Sequence, residues 1–388
     1  MPFWDEALVD DEVEWARIDS RDTLRALATA GAQMRAAAAS AQAAGIDRVC
    51  AGERPRGVLV AALGGSAAVA DVVSAIVDAG SPVPIAAAGT LPLPGWVGPL
   101  DLVVAVSRSG RAAGPLGLAA EAARRGGSLL TVGAPDSPLA EVCARARGVH
   151  VPLPAGPVSS RTALWGLLTP ALLAVDALGL ARVPRSLVES TAARLDAAAA
   201  AYRPSSEAFV NPAKLLAADL AAGLPVVLGD GPVGAAAARR AAAMLARTAR
   251  VPAPAGSLPA AAAEVVALLD GPFTSSGTPA ADAFGGADDI FRDPFLDGPP
   301  DPRLVLLLLH SGVAAEGDLI ESVTAAARAG GVRVSEHRAA PGHPLEQLAE
   351  LVALVDFAAT YLAIGFGLDP AVSAPLEALI ERDGDRYR

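Results

Sequence analysis

The 388-residue chain has only two cysteines, four histidines, one lysine and 4% aromatic residues, and each scarcity excludes something. Cys50 and Cys143 are too few for a disulfide framework. The histidines are scattered without metal-ligand spacing, so no metal is expected. Lys214 stands alone against 30 Arg, and no Lys/Arg-rich run offsets a formal charge of −11 and a pI near 4.9. That balance argues against nucleic acid as a partner. No G-x-G-x-x-G is present, which speaks against a dinucleotide, and no cofactor is expected. Long apolar runs are missing too. The most tempting, Thr162–Val175, contains Pro170 and stops at Asp176. About 14 residues suit a buried core helix better than a bilayer span, so no membrane is expected. Asp5, Glu6, Asp10, Asp11 and Glu12 give the opposite of a secretory or transit signal. The expectation is a soluble cytoplasmic protein.

What the chain has is Ala, Val, Leu and Gly in an ordered pattern. Val58–Leu63 is an apolar run that reads as a buried parallel strand. Gly64-Gly65 then permits a tight turn, and Ser66 stands as a candidate cap for a helix over Ser66–Ala79. Such a turn, with amide groups and a helix start, is a natural phosphate site. Further strands are expected at Val83–Ala87, Leu102–Val106, Ser128–Val132 and Val149–Val151. Helices are expected at Ala112–Arg124, Leu139–Ala146, Arg161–Leu180 and Ser186–Ala201. Strands alternating with helices of this length predict a doubly wound α/β sandwich.

The pattern then starts again. Val226–Leu228 runs into Gly229-Asp230-Gly231 and the Ala-rich helix Gly234–Arg247. Leu304–Leu309 runs into His310-Ser311-Gly312, matching Val103–Val106 before Arg108-Ser109-Gly110. Each is followed by a helix that ends in Gly-Gly, at Gly126-Gly127 and at Gly330-Gly331. Two tandem three-layer α/β/α domains with parallel sheets are expected. An N-terminal helical arm over 1–50 packs against the first sheet. The first domain spans 51–200 and the second 207–388, with an inserted surface loop at about 270–301 rich in Gly, Pro and Asp.

Ser107 and Ser109 project from the carboxyl end of a strand, where ligands bind in open α/β sheets. With Ser66 they offer three hydroxyls and several amides to one anion. These stretches carry a resemblance: Gly64-Gly65-Ser66 with Asp71, Ser107-Arg108-Ser109-Gly110, Ser160-Arg161-Thr162, Asn211-Pro212-Ala213-Lys214, Gly229-Asp230-Gly231-Pro232, Arg250-Val251-Pro252 and Leu354–Phe357 through Tyr361. The two domains resemble SIS (sugar isomerase) domains. The whole chain resembles the bifunctional phosphoglucose/phosphomannose isomerase family, in particular its actinobacterial relatives. The resemblance implies a phosphosugar ligand at Gly64, Gly65, Ser66, Ser107, Ser109 and Gly110, with Arg161 near the sugar hydroxyls. It also implies a homodimer, for which the apolar helices 161–180 and 344–366 would supply the interface. The implied reaction interconverts glucose 6-phosphate or mannose 6-phosphate with fructose 6-phosphate, using a carboxylate base and a histidine.

The departures concern that chemistry. The family's base Glu falls on Arg247, in Leu245–Arg250. Its Asn-His-Asn-Glu reads Ala261-Ala262-Ala263-Glu264, so the His is missing. Glu264 is the candidate substitute base and His343 the candidate acid. His310, at a strand end beside Ser311-Gly312, is a further candidate ligand contact. Two readings stay open: an isomerase, or a non-catalytic phosphosugar sensor or regulatory partner.

Overall fold

The computed structural model describes residues 4–77, 80–153, 159–274, 303–312 and 317–383. The chain forms two compact units, each discontinuous. One comprises Ser20–Ala200 with Ala371–Arg388, and the other Met1–Asp19 with Ala201–Pro370.

The N-terminal helices α1 (Ala7–Asp10) and α2 (Glu12–Ile18) belong to the unit built mainly from the second half. The next two, α3 (Thr23–Ala28) and α4 (Ala30–Ala44), belong to the other. The arm expected over 1–50 is therefore divided. Its first part belongs with the second half, where Asp10 forms an ion pair with the buried Lys214 at 2.6 Å.

In the unit of residues 20–200 the strands are β1 (Val58–Ala62), β2 (Ile85–Ala88), β3 (Leu102–Ser107), β4 (Ser128–Gly133) and β5 (Val149–Pro152). All neighbours are parallel, in the order β2-β1-β3-β4-β5. Alternation along the strands sends Leu59, Ala61, Val103 and Ala105 to one face. There they meet α6 (Ala113–Arg124) and α7 (Pro138–Arg145) through Leu118, Ala122, Leu139 and Val142. The other face is covered by α5 (Ala68–Ile76) and α8 (Leu164–Ala177), with α4 packed on α8. A long helix, α9 (Arg185–Ala201), completes the layer, and Arg35 of α4 reaches its Glu189 and Asp196. Helix α8 begins later than expected because Ser159–Thr162 fold into a hydroxyl-bonded turn, with Thr162 Oγ1 accepting from the Ser159 N–H.

The other unit repeats this plan. It has α10 (Pro212–Ala221), β6 (Leu224–Asp230), α11 (Gly231–Met244), β7 (Ala255–Leu258), α12 (Ala262–Leu268), β8 (Leu304–His310), α13 (Gly317–Ala329), β9 (Arg333–Arg338) and α14 (Pro344–Gly365). The parallel order is β7-β6-β8-β9. Helices α6 and α13 even end alike: Gly126 and Gly331 take φ of +79° and +69°, and the next residue's N–H reaches back to Ala122 and Ala327. That left-handed stop is what glycine supplies at a helix C-terminus.

Helix α14 is long and apolar enough to cross a membrane by composition, yet 94% of its apolar window is buried. It packs on α10 and α11. Helix α8 is likewise spent inside its own unit. Neither helix leaves the free face expected of a dimer interface. The last helix, α15 (Ala374–Asp383), belongs with residues 20–200, so the second unit ends at Pro370 and not at 388. Arg21 fastens it through Glu377 at 3.0 Å. Most of the loop expected at 270–301 lies outside the described residues.

Candidate functional site

In the order β2-β1-β3-β4-β5 the chain reverses direction across the sheet between β1 and β3. Ligands of open α/β sheets bind outside the carboxyl ends of the strands at such a switch point. The two Ser-bearing turns stand there side by side, since β1 and β3 pair in register up to Ala62↔Val106. After β1, Gly64 takes φ +62° and Gly64–Ser66 close one 3₁₀ turn. After β3, Gly110 takes φ +65° and its N–H donates to the Ser107 carbonyl at 2.9 Å.

Neither following helix has a side-chain cap: the cap residues of α5 and α6 are Ala67 and Ala112. Two helix starts without a side-chain acceptor leave positive dipole ends near one place, which favours an anion. Ser66 does not cap α5 as expected; its hydroxyl donates to the Leu63 carbonyl at 3.0 Å. The Ser107 hydroxyl accepts from Ala112 N–H at 3.4 Å, and Ser109 accepts from Arg111 N–H at 3.2 Å. Each serine thus braces its own turn. Between the serines, burial pushes the Arg108 guanidinium pKa down. An arginine stays protonated even so and adds a cation to the turn.

Two serines missed as site residues complete this region. Ser160 closes on the first turn: a side chain added at Gly65 would meet Ser160 Oγ at 2.6 Å and the Arg161 N–H nitrogen at 3.0 Å. Ser137 closes on the second, because a side chain at Gly110 would lie 2.1 Å from its Oγ. The sequence signal for Ser160 was the polar run Ser159–Thr162 between apolar stretches. Ser137 carried only the signal of a helix cap, which it is.

Arg161 comes to the first turn by its backbone. Its guanidinium is buried and donates to the Ala371 carbonyl at 3.0 Å, so it ties the C-terminal segment to this unit. Glu264 is exposed in the first turn of α12. Arg247 lies in a π-turn, Leu245–Ala249, that continues α11. Burial, and then Arg240, push its pKa down.

His343 is a helix cap. Its Nδ1 accepts from the Leu345 N–H at 3.2 Å while Glu346 accepts from the His343 N–H at 2.9 Å, a capping box at the start of α14. Capping needs the unprotonated ring, and burial lowers the His343 pKa from its ordinary 6.5. His337 is shifted down by burial as well. A histidine whose folded pKa is depressed favours the unfolded state as it protonates. Stability should therefore be complete above 6.5 and fall as pH drops from there through the lowered folded values. Asn caps without titrating, so thermal melts of His343→Asn should show a shallower acid loss than the parent. An identical slope would remove His343 from this account.

Residues 209–382 match the family model of the bacterial phospho-glucose isomerase C-terminal SIS domain. That stretch matches a SIS domain. Solved SIS-type structures align along both of its halves at low identity, which shows the fold alone. The C-terminal domain of glucosamine-fructose-6-phosphate aminotransferase from Francisella tularensis is 13% identical, covers 90% of this chain and 97% of its own, and has a TM-score of 0.61. A candidate phosphosugar isomerase from Silicibacter pomeroyi is 19% identical over 90% and 99%, with a TM-score of 0.61. Glucosamine-6-phosphate deaminase from Thermotoga maritima is 11% identical over 90% and 97%, at 0.58. No curated protein matches the chain. The fold is thus the pair of parallel α/β/α sandwiches that the sequence resemblance implies.

Proposed function

We propose that this protein binds a sugar phosphate, with the phosphate seated on the Gly64–Ser66 and Ser107–Gly110 turns. The observation that carries the reading is their juxtaposition at the β1/β3 switch point beside two helix starts without side-chain caps. Gly64, Gly65, Ser66, Ser107, Ser109 and Gly110 supply amides and hydroxyls. Ser160 and Arg108 extend the polar rim. Glucose 6-phosphate, mannose 6-phosphate and fructose 6-phosphate are the ligands that the family points to. The names of the aligned structures, which contain fructose-6-phosphate and glucosamine-6-phosphate, support the same class.

A specific observation favours the non-catalytic reading, a sensor or regulatory partner of isomerase descent. Moving a proton between C1 and C2 needs a positioned base and an acid, each worth roughly 10²–10⁴-fold in rate. The resemblance puts Arg247 where the family's base would stand, Glu264 is exposed, and His343 is engaged as a cap. Sugar phosphates should therefore raise the melting temperature more than inorganic phosphate does, and Ser109→Ala should reduce that rise. Fructose 6-phosphate incubated with the protein in deuterium oxide should gain no deuterium at carbon. Exchange at enzyme-like rates would establish the isomerase instead; an unchanged shift in Ser109→Ala would remove the phosphate site.

A further inference from the structure

At the carboxyl edge of the second sheet four ionisable side chains share one face. In a parallel sheet, register partners point to the same side and side chains alternate along each strand. Leu228 and Leu308 face the core made with α12 and α13. Asp230 and His310, two positions farther along and register partners of each other, face the same way. Glu336, the partner of Leu308, joins them, and its Oε1 lies 2.9 Å from His310 Nε2. Arg338 stands at the exposed rim, 3.9 Å from Glu336.

His310 is 1% exposed, and among the described residues its Nδ1 has no hydrogen-bond partner. With Nε2 against a carboxylate, the neutral ring keeps its proton there and presents a lone pair at Nδ1. Buried polar atoms are nearly always paired, so this one, unpaired among the described residues, is open to a donor that a ligand would bring. Its place is where such a donor arrives: the order β7-β6-β8-β9 makes β6/β8 the switch point of this sheet. Gly231, at φ +64° beside Asp230, leaves room at the rim, since a side chain there would meet nothing within 4 Å.

The sequence repeat set His310 against Arg108. The sheet faces set it against Ser107 instead, because both end the central strand of their sheet on the face toward the α6/α7 or α12/α13 layer. The second domain has thus kept a polar group at the ligand position while exchanging a hydroxyl for an imidazole flanked by carboxylates. Among the described residues no three such groups are placed to hold a metal ion.

We propose that the second domain holds a ligand site of its own at the β6/β8 switch point, in which His310 Nδ1 accepts a hydrogen bond from a neutral, hydroxyl-rich ligand of the sugar or polyol class. Acceptors outnumber the one cation: the Asp230 and Glu336 carboxylates and Nδ1 accept, while the Arg338 guanidinium stands at the rim beside Glu336, a balance that suits hydroxyl donors over phosphate. The site is independent of the phosphate turns, so either can fail without the other.

The test follows the imidazole ¹⁵N resonances of the full chain during titration with glucose and with sorbitol at millimolar concentration. The His310 Nδ1 signal should move with at least one of them and stay in place with inorganic phosphate. His310→Gln keeps a donor toward Glu336 but has no acceptor at the Nδ1 position. Calorimetry should show binding weakened about 10-fold or more, as for one buried hydrogen bond. Thermal melting confirms that the variant is folded; should it not fold, the resonance shift in the parent protein decides alone. An Nδ1 signal unmoved by both compounds, or equal affinity in parent and variant, would overturn the proposal.

Discussion

Asp356→Ala should destabilise the unit built on β6–β9 by about 3–5 kcal/mol, among the largest effects of any single substitution in this chain. Asp356 of α14 and Arg240 of α11 are 4% and 3% exposed. They meet in a two-pronged pair, Nε to Oδ1 at 2.8 Å and Nη2 to Oδ2 at 2.7 Å. The pair itself earns little, because removing two charges from water offsets most of their attraction. Breaking it is different, since Ala leaves the guanidinium buried without its counter-charge. Urea unfolding should show the midpoint fall sharply in Asp356→Ala, while Arg240→Met with Asp356→Leu should recover most of the loss. A fall of under about 1 kcal/mol, the range of an exposed pair, would contradict this account.

Gly110→Val should abolish sugar-phosphate binding within a measurable range, a loss of about 100-fold or more. Two causes add. The residue sits at φ +65°, where a β-branched side chain is strained, and the new side chain would meet the Ser137 side chain at 2.1 Å and 2.4 Å. The turn must move, and a displacement near 1 Å is enough to cost about 10²-fold in a positioned site. Gly65→Ala is the milder companion. Its nearest neighbour is the movable Ser160 hydroxyl at 2.6 Å, so a loss of about 10-fold is expected from one disturbed contact. Calorimetry with fructose 6-phosphate ranks the two; equal affinities for parent and Gly110→Val would separate the turn from the ligand.

The parts legible in the sequence were those written in local patterns. Apolar runs such as Leu102–Val106 announce buried parallel strands, and a Gly or Ser following each marks where the turn must open. The two Ser-bearing turns were legible for that reason, and so was the repeat. Long-range pairings were not. Nothing around Asp10 announces Lys214, 204 positions away, yet that pair assigns the N-terminal helices to the second unit. Arg161 read as a sugar contact because it sits in a polar turn; its guanidinium also reaches the carbonyl of Ala371, 210 positions away. His343 read as a candidate acid, although Pro344 and Glu346 after it already spelled a helix start. Histidine is an uncommon cap, and the pattern passed unread. His310 carried no local signal beyond its place at a strand end. Its significance comes from the sheet order, which a single strand does not reveal.

The most direct measurement of the central claim follows the backbone amide resonances of Gly65, Ser66, Ser109 and Gly110 while fructose 6-phosphate is added. The phosphate-turn account predicts that these four move together and saturate with one affinity, and that the same movements vanish in Gly110→Val. Resonances that stay fixed while the sugar phosphate binds elsewhere on the chain would contradict it.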